Sequence, residues 1–251
     1  MGARGGLFSD FAIATSFLTR VPMGLGALDA GQLAQAGWAF PLVGIGVGAL
    51  AGLVFLIAAL FGCGDWPSAV LAVLAAVVLT GALHEDGLAD TADGFAGGAN
   101  REAKLRIMRD SRHGTFGVLA LFASFALRMA ALAAIGEPLH VGLALIAAHA
   151  GSRGLLPASM RALPPARSDG LGIAAGRPRM VTAVASAAIG LGIALAALGP
   201  LRGVLAVMLA ALAVAGSAAL ARRQIGGYTG DVLGAFQQIG EIVILLAGAA
   251  K

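Results

Sequence analysis

Apolar residues fill the chain in long blocks, and the polar residues gather in segments between them. A hydrocarbon core of about 30 Å is crossed by roughly 20 helical residues. Phe40–Phe61, Trp66–Leu83, Phe116–Ile135, Pro138–Leu156, Val181–Gly199, Val204–Ala221 and Val232–Ala250 meet or approach that length. The pattern predicts an all-α, polytopic integral membrane bundle of about seven transmembrane helices, with residues 1–251 forming one membrane-embedded domain. Ahead of the first block, Leu7, Phe8, Phe11, Ala14, Phe17 and Leu18 recur at helical spacing. They predict an N-terminal amphipathic helix lying on the membrane surface and ending near Val21–Pro22. Asp10 interrupts this run and Ser16–Arg20 lack the character of a cleavage site, so the segment does not read as a signal peptide.

Small residues mark one helix face: Gly44, Gly48 and Gly52 repeat every fourth position, a spacing that lets two helix backbones approach closely. A few polar residues interrupt the blocks. Glu241 is costly inside a bundle unless paired, and Arg128 in another block is its candidate partner. His140 and His149 read as histidines hydrogen-bonded within the bundle rather than as metal ligands.

Composition sharpens this picture. The chain is 59% apolar and 12% charged, whereas soluble domains carry about 25% charge. A soluble enzyme, a disordered chain and, with Cys63 alone, a disulfide scaffold are excluded. The net charge of +4 reflects topology rather than nucleic-acid binding, because no basic patch is interleaved with aromatic residues. Of 17 Lys and Arg residues, fourteen fall on the side of the N-terminus, two on the other side (Arg202 and Lys251), and Arg128 lies within a span. That bias puts segments 84–115, 157–180 and 222–231 together on the cytoplasmic face of the membrane.

The first of these segments carries the chemistry. Six of 13 acidic residues fall between His84 and His113: Glu85, Asp86, Asp90, Asp93, Glu102 and Asp110. Asp86, Asp90 and Asp93 stand at i, i+4 and i+7, so a helix projects all three carboxylates from one face. Their mutual repulsion is relieved by a divalent cation, and oxygen donors without nearby cysteine suit Mg²⁺ or Mn²⁺ rather than Zn²⁺. The bland alternative is a solvated acidic loop. Arg106, Arg109 and Arg112 follow at intervals of three. Carboxylates with a metal beside arginines are what phosphoryl transfer needs; topology and lipid headgroup contact also account for the arginines. Asp231 opens the last block as a capping residue or a site residue.

Five stretches carry a family resemblance: FLTRVP at 17–22, FPLVG at 40–44, GALHEDGLADTADGF at 81–95, RIMRDSRHGTFG at 106–117 and GGYTGDVLGA at 226–235. In that order they resemble the cobalamin synthase family, the adenosylcobinamide-GDP ribazoletransferases. The chain departs from the usual pattern at Glu85, where leucine is common, at Gln238, where glutamate is common, and at His113 and Phe116. The resemblance implies a Mg²⁺-dependent membrane transferase that joins adenosylcobinamide-GDP to α-ribazole, or its 5′-phosphate, and releases GMP. It further implies metal ligation by Asp86, Asp90, Asp93 and Asp110, and phosphate contacts from Arg109 and Arg112. Glu85, Thr229 and Asp231 would line the substrate, and Asp93, or alternatively His84, would take a proton. The expected partners are these small molecules and membrane lipid, without nucleic acid; a homo-oligomer stays open. Two rivals remain at this point. CDP-alcohol phosphotransferases also align aspartates around a metal and a diphosphate, but the arginine of their D-G-x-x-A-R opening is missing after Asp86-Gly87. A cation transporter would place its acids at mid-bilayer depth, whereas Asp86–Asp93 follow the end of an apolar block.

Overall fold

A computed structural model describes residues 6–25, 31–110, 112–170 and 175–250; Arg4 and Lys251 of the charge count lie outside them. The architecture is helical, with no β-strand among the described residues. Helix α1 (Leu7–Leu18) leads through α2 (Gln32–Ala36) and a 3-10 turn (Gly37–Ala39) into α3 (Phe40–Leu60). Then come α4 (Asp65–Thr80), α5 (Leu83–Gly97), α6 (Arg101–Ile107), α7 (Thr115–Ile135), α8 (Pro138–Ala162), α9 (Met180–Leu198), α10 (Pro200–Ile225) and α11 (Gly230–Ala249).

Six helices, counting α2 and α3 as one continuous span, are long and apolar enough to cross a membrane, and α4 with α5 form a bent seventh candidate. The chain is a multi-pass membrane protein. Leu60, Phe61, Val78, Phe122 and Leu201 present large apolar side chains outward, which only lipid makes favourable. The block expected at Trp66–Leu83 is the one that differs. Its helix stops at Thr80, and the pair turns by 91°. Gly81 (φ 65°) and Ala82 (φ 59°) are both left-handed, which breaks the hydrogen-bond ladder between the two arms. Glycine at the first position suits its left-handed φ, and a Cβ there would also displace the Arg20 side chain.

The core pair is α3 against α8. Gly44, Gly48 and Gly52 meet the α8 backbone directly: a Cβ on Gly48 would lie 2.6 Å from Ile146 Cα, and one on Gly52 2.7 Å from Gly142 Cα. The four-residue stripe is therefore a backbone-to-backbone seam. Helix α1 ends at Leu18, earlier than Val21–Pro22, and is half buried against α2 and α3. Its Asp10 accepts a hydrogen bond from Trp38 Nε1 at 3.0 Å, while Leu7 and Phe8 stay exposed.

The three polar segments meet at one end of the bundle. Arg101 donates to the carbonyls of Ile225 (2.8 Å) and Ala166 (2.6 Å). Tyr228 and Pro164–Ala166 exchange backbone hydrogen bonds. Arg153, grouped with that face on charge, instead lies in the interior of α8 beside His149.

Candidate active site

Helix α5 carries the acids from the interior of the bundle to its end. It packs between α7 and α11. Near its start, Glu85 Oε1 is 3.0 Å from Arg128 Nη1, in the middle of α7. Near its end, Asp93 reaches the first turn of α7, accepting hydrogen bonds from the backbone N–H of Gly114 (2.7 Å) and Gly117 (2.8 Å). At 1.5 Å per residue these two acids are about 12 Å apart along the helix. The acids thus reach deeper than the end of an apolar block. Close contact with α11 is possible because position 87 is glycine: a Cβ there would sit 2.6 Å from the Asp231 carbonyl oxygen.

Asp86 and Asp90 share a face and are joined by His113, and one ligand atom from each lies within 4.8 Å of the others. Asp231, at the start of α11, faces the same space and is held by Thr229, whose hydroxyl donates to it at 3.1 Å and also caps Val232 N–H. Across from it, Arg167 Nη1 stands 3.7 Å from Asp231 Oδ2, and its Nη2 donates to the Leu105 carbonyl at 2.8 Å. Burial lowers the affinity of the Arg167 guanidinium for its proton, and Asp231 opposes that shift. Three carboxylates converge here beside Arg167, leaving excess negative charge that a divalent cation neutralises. The carboxylate oxygens of Asp86 and Asp90 fit Mg²⁺ or Mn²⁺, whereas the imidazole of His113 is the donor that suits a later transition metal.

The remaining expected residues fall elsewhere. Asp93 is not joined to the Asp86–Asp90 group; both of its oxygens are engaged at the start of α7. Asp110 is half-buried and doubly hydrogen-bonded by the Arg112 side chain, which pulls its carboxyl down to about 2. Arg109 pairs with Asp169. Glu85 turns away from the site into a buried network. There Arg128 also meets Glu241 at 3.3 Å, the pairing expected from sequence. Gln238 donates to Glu85 at 3.2 Å, and His149 lies 3.1 Å from Glu241. His140, by contrast, is exposed beside Glu137 on an outer turn. Sequence reasoning passed over Arg167 and His113 as members of the site. Arg167 sits in a loop without periodicity, and only its position two residues after the Pro164-Pro165 turn marks it.

His84 is buried and lines a cavity of about 180 Å³ whose rim includes Asp86 and Asp231. Together these features define a polytopic membrane protein with a carboxylate cluster and an apolar cavity beside it at one end of its bundle.

Comparison with known proteins gives that class a family. The family described as cobalamin-5-phosphate synthase matches residues 10–249. A protein of Bradyrhizobium diazoefficiens is 50% identical over 245 residues, 97% of this chain and 94% of its own length. Proteins of Mesorhizobium japonicum and Azorhizobium caulinodans are 46% and 45% identical, covering 97% and 96% of this chain and 93% and 95% of their own lengths. All three are named adenosylcobinamide-GDP ribazoletransferase. No solved structure matches. The chain belongs to the cobalamin-5-phosphate synthase family and is a membrane-embedded transferase.

Proposed function

We propose that this chain joins adenosylcobinamide-GDP to α-ribazole, or to α-ribazole 5′-phosphate, forming adenosylcobalamin or its 5′-phosphate and releasing GMP. The observation that carries the reading is the convergence of Asp86, Asp90 and His113 beside Asp231 and Arg167, at the rim of a cavity. Asp86 and Asp90, with His113, would hold a divalent ion, Mg²⁺ in the first instance. Bound there, the ion supplies charge neutralisation to the diphosphate.

This chain's own groups do the rest. Arg167 binds a phosphate oxygen, a role the arginine fork suits. A ribose hydroxyl oxygen of the nucleoside forms a bond to the phosphorus nearest cobinamide. The bond from that phosphorus to the bridging oxygen breaks, and GMP leaves with the electron pair. The hydroxyl proton passes to Asp231, the carboxylate at the cavity rim outside the Asp86–Asp90–His113 group. His84 lines the cavity behind it, and Asp93, with two backbone N–H groups on its oxygens, orients the start of α7. The positive-inside bias supports a cytoplasmic active face in a bacterial inner membrane.

The test is GMP release by purified protein in detergent, given adenosylcobinamide-GDP with and without α-ribazole and Mg²⁺. Release requires both additions, and Asp86→Asn or Asp90→Asn abolishes it while leaving the melting temperature unchanged. Release independent of the nucleoside, or near-normal activity in either variant, contradicts the reading.

A further inference from the structure

The cavity beside the acids has a shape and lining of its own. Its walls are apolar: Phe17 of α1, Leu33 of α2, Phe40 of α3, and Leu156 and Met160 of α8. Phe17 and Phe40 stack, with ring centroids 6.5 Å apart and planes at 17°. One titratable side chain, His84, is buried in this wall at 3% exposure, and the polar rim is Asp86 and Asp231. The site therefore offers an apolar slot, one hydrogen-bonding group within it, and carboxylates at its mouth.

Size decides what enters. The volume is about 180 Å³, and an apolar protein cavity of about 150 Å³ takes up a benzene ring. A one- or two-ring aromatic base fits, and a corrin macrocycle does not. Guanine and adenine of adenosylcobinamide-GDP are of that size too, but each carries several hydrogen-bonding groups on its edges, whereas the benzimidazole base of α-ribazole offers one free ring nitrogen. The apolar walls with His84 alone within them suit that least polar base.

We propose that this cavity is the subsite for the aromatic base of the nucleoside substrate, with Leu33 and Met160 setting the size of base accepted. The inference rests on the reaction proposed above and adds the binding place and selectivity of one substrate. The base lies between the aliphatic walls near the Phe17–Phe40 pair, and a ring nitrogen meets His84. Its ribose then emerges at Asp86 and Asp231, where the hydroxyl faces the phosphorus. The corrinoid and its diphosphate approach from the open side, past Arg167. The N-terminal helices α1 and α2 thereby become walls of the substrate site as well as packing elements.

Two measurements test this. Leu33→Trp and Met160→Trp, each filling the slot, raise KM for α-ribazole at least tenfold and leave KM for adenosylcobinamide-GDP within twofold. Independently, Leu33→Cys in a Cys63→Ser background is labelled by a small thiosulfonate. Saturating α-ribazole slows that labelling at least fivefold, and adenosylcobinamide-GDP does not. A rise in KM for the corrinoid instead, unchanged KM for both substrates, or labelling indifferent to the nucleoside overturns the subsite while leaving the transferase reading intact. Protection of the Leu33→Cys, Cys63→Ser protein by α-ribazole, together with no GMP release by wild-type protein, overturns the reaction and supports the subsite.

Discussion

The interior network around Arg128 sets a measurable stake on how α5 is held. Arg128 is 1% exposed, and its Nη1 lies 3.0 Å from Glu85 and 3.3 Å from Glu241, both buried. Its guanidinium also sits 4.9 Å from the centroid of the Phe125 ring. Arg128→Met keeps much of the volume and removes the charge, leaving two carboxylates in the bundle interior. Glu241 retains Gln237 and His149, whereas Glu85 retains only the Gln238 amide among the described hydrogen bonds. Removing one partner of a buried pair costs about 3–5 kcal/mol. At about 2–4 °C per kcal/mol for a chain of this size, the melting temperature of the purified protein falls by roughly 6–20 °C. Adding Glu85→Gln removes one stranded charge and preserves a hydrogen-bonding partner for Gln238, so the double variant recovers about half the loss. Turnover falls with stability, because Glu85 precedes Asp86 on the same helix. A melting temperature within about 2 °C of wild type for Arg128→Met, less than about 1 kcal/mol on the same scale, refutes the reasoning. So does strict additivity in the double variant.

Other positions give sharper yes-or-no outcomes. Gly48→Leu drives a side chain into the α8 backbone, and the protein fails to accumulate in membranes, as read by immunoblot against wild type. Asp93→Ala removes the acceptor for two backbone N–H groups at the start of α7. It lowers stability by about 1–2 kcal/mol, the range of a lost N-cap, in thermal melts of the purified protein. Arg167→Ala raises KM for adenosylcobinamide-GDP about tenfold, corresponding to about 1.4 kcal/mol for a lost charge-assisted contact, while KM for α-ribazole is unchanged in steady-state assays.

Much of this architecture is legible in the sequence because lipid imposes length and polarity on each span. The glycine stripe on α3 could be read because a four-residue period has one structural use in such a helix. The Arg128–Glu241 pairing could be read because charges inside a bundle need partners. The bend after Thr80 was not legible, since Gly81 alone signals a turn and the left-handed Ala82 carries no sequence mark. Periodicity placed Asp86, Asp90 and Asp93 on one face. It could not show that the Asp93 oxygens turn to the backbone of α7 while His113 comes in to join the other two. Glu85 and Gln238, far apart in sequence, hydrogen-bond to each other, and Glu85 supplies a negative charge beside Arg128. A cavity whose walls come from α1, α2, α3, α5, α8 and α11 is a tertiary feature that no local pattern reports.

Manganese binding followed by electron paramagnetic resonance tests the account at its centre without any turnover. Purified wild-type protein should bind one Mn²⁺ that Mg²⁺ displaces, and both Asp86→Asn and Asp90→Asn should lose that site while keeping the wild-type melting temperature. Undiminished Mn²⁺ binding in both variants contradicts the account.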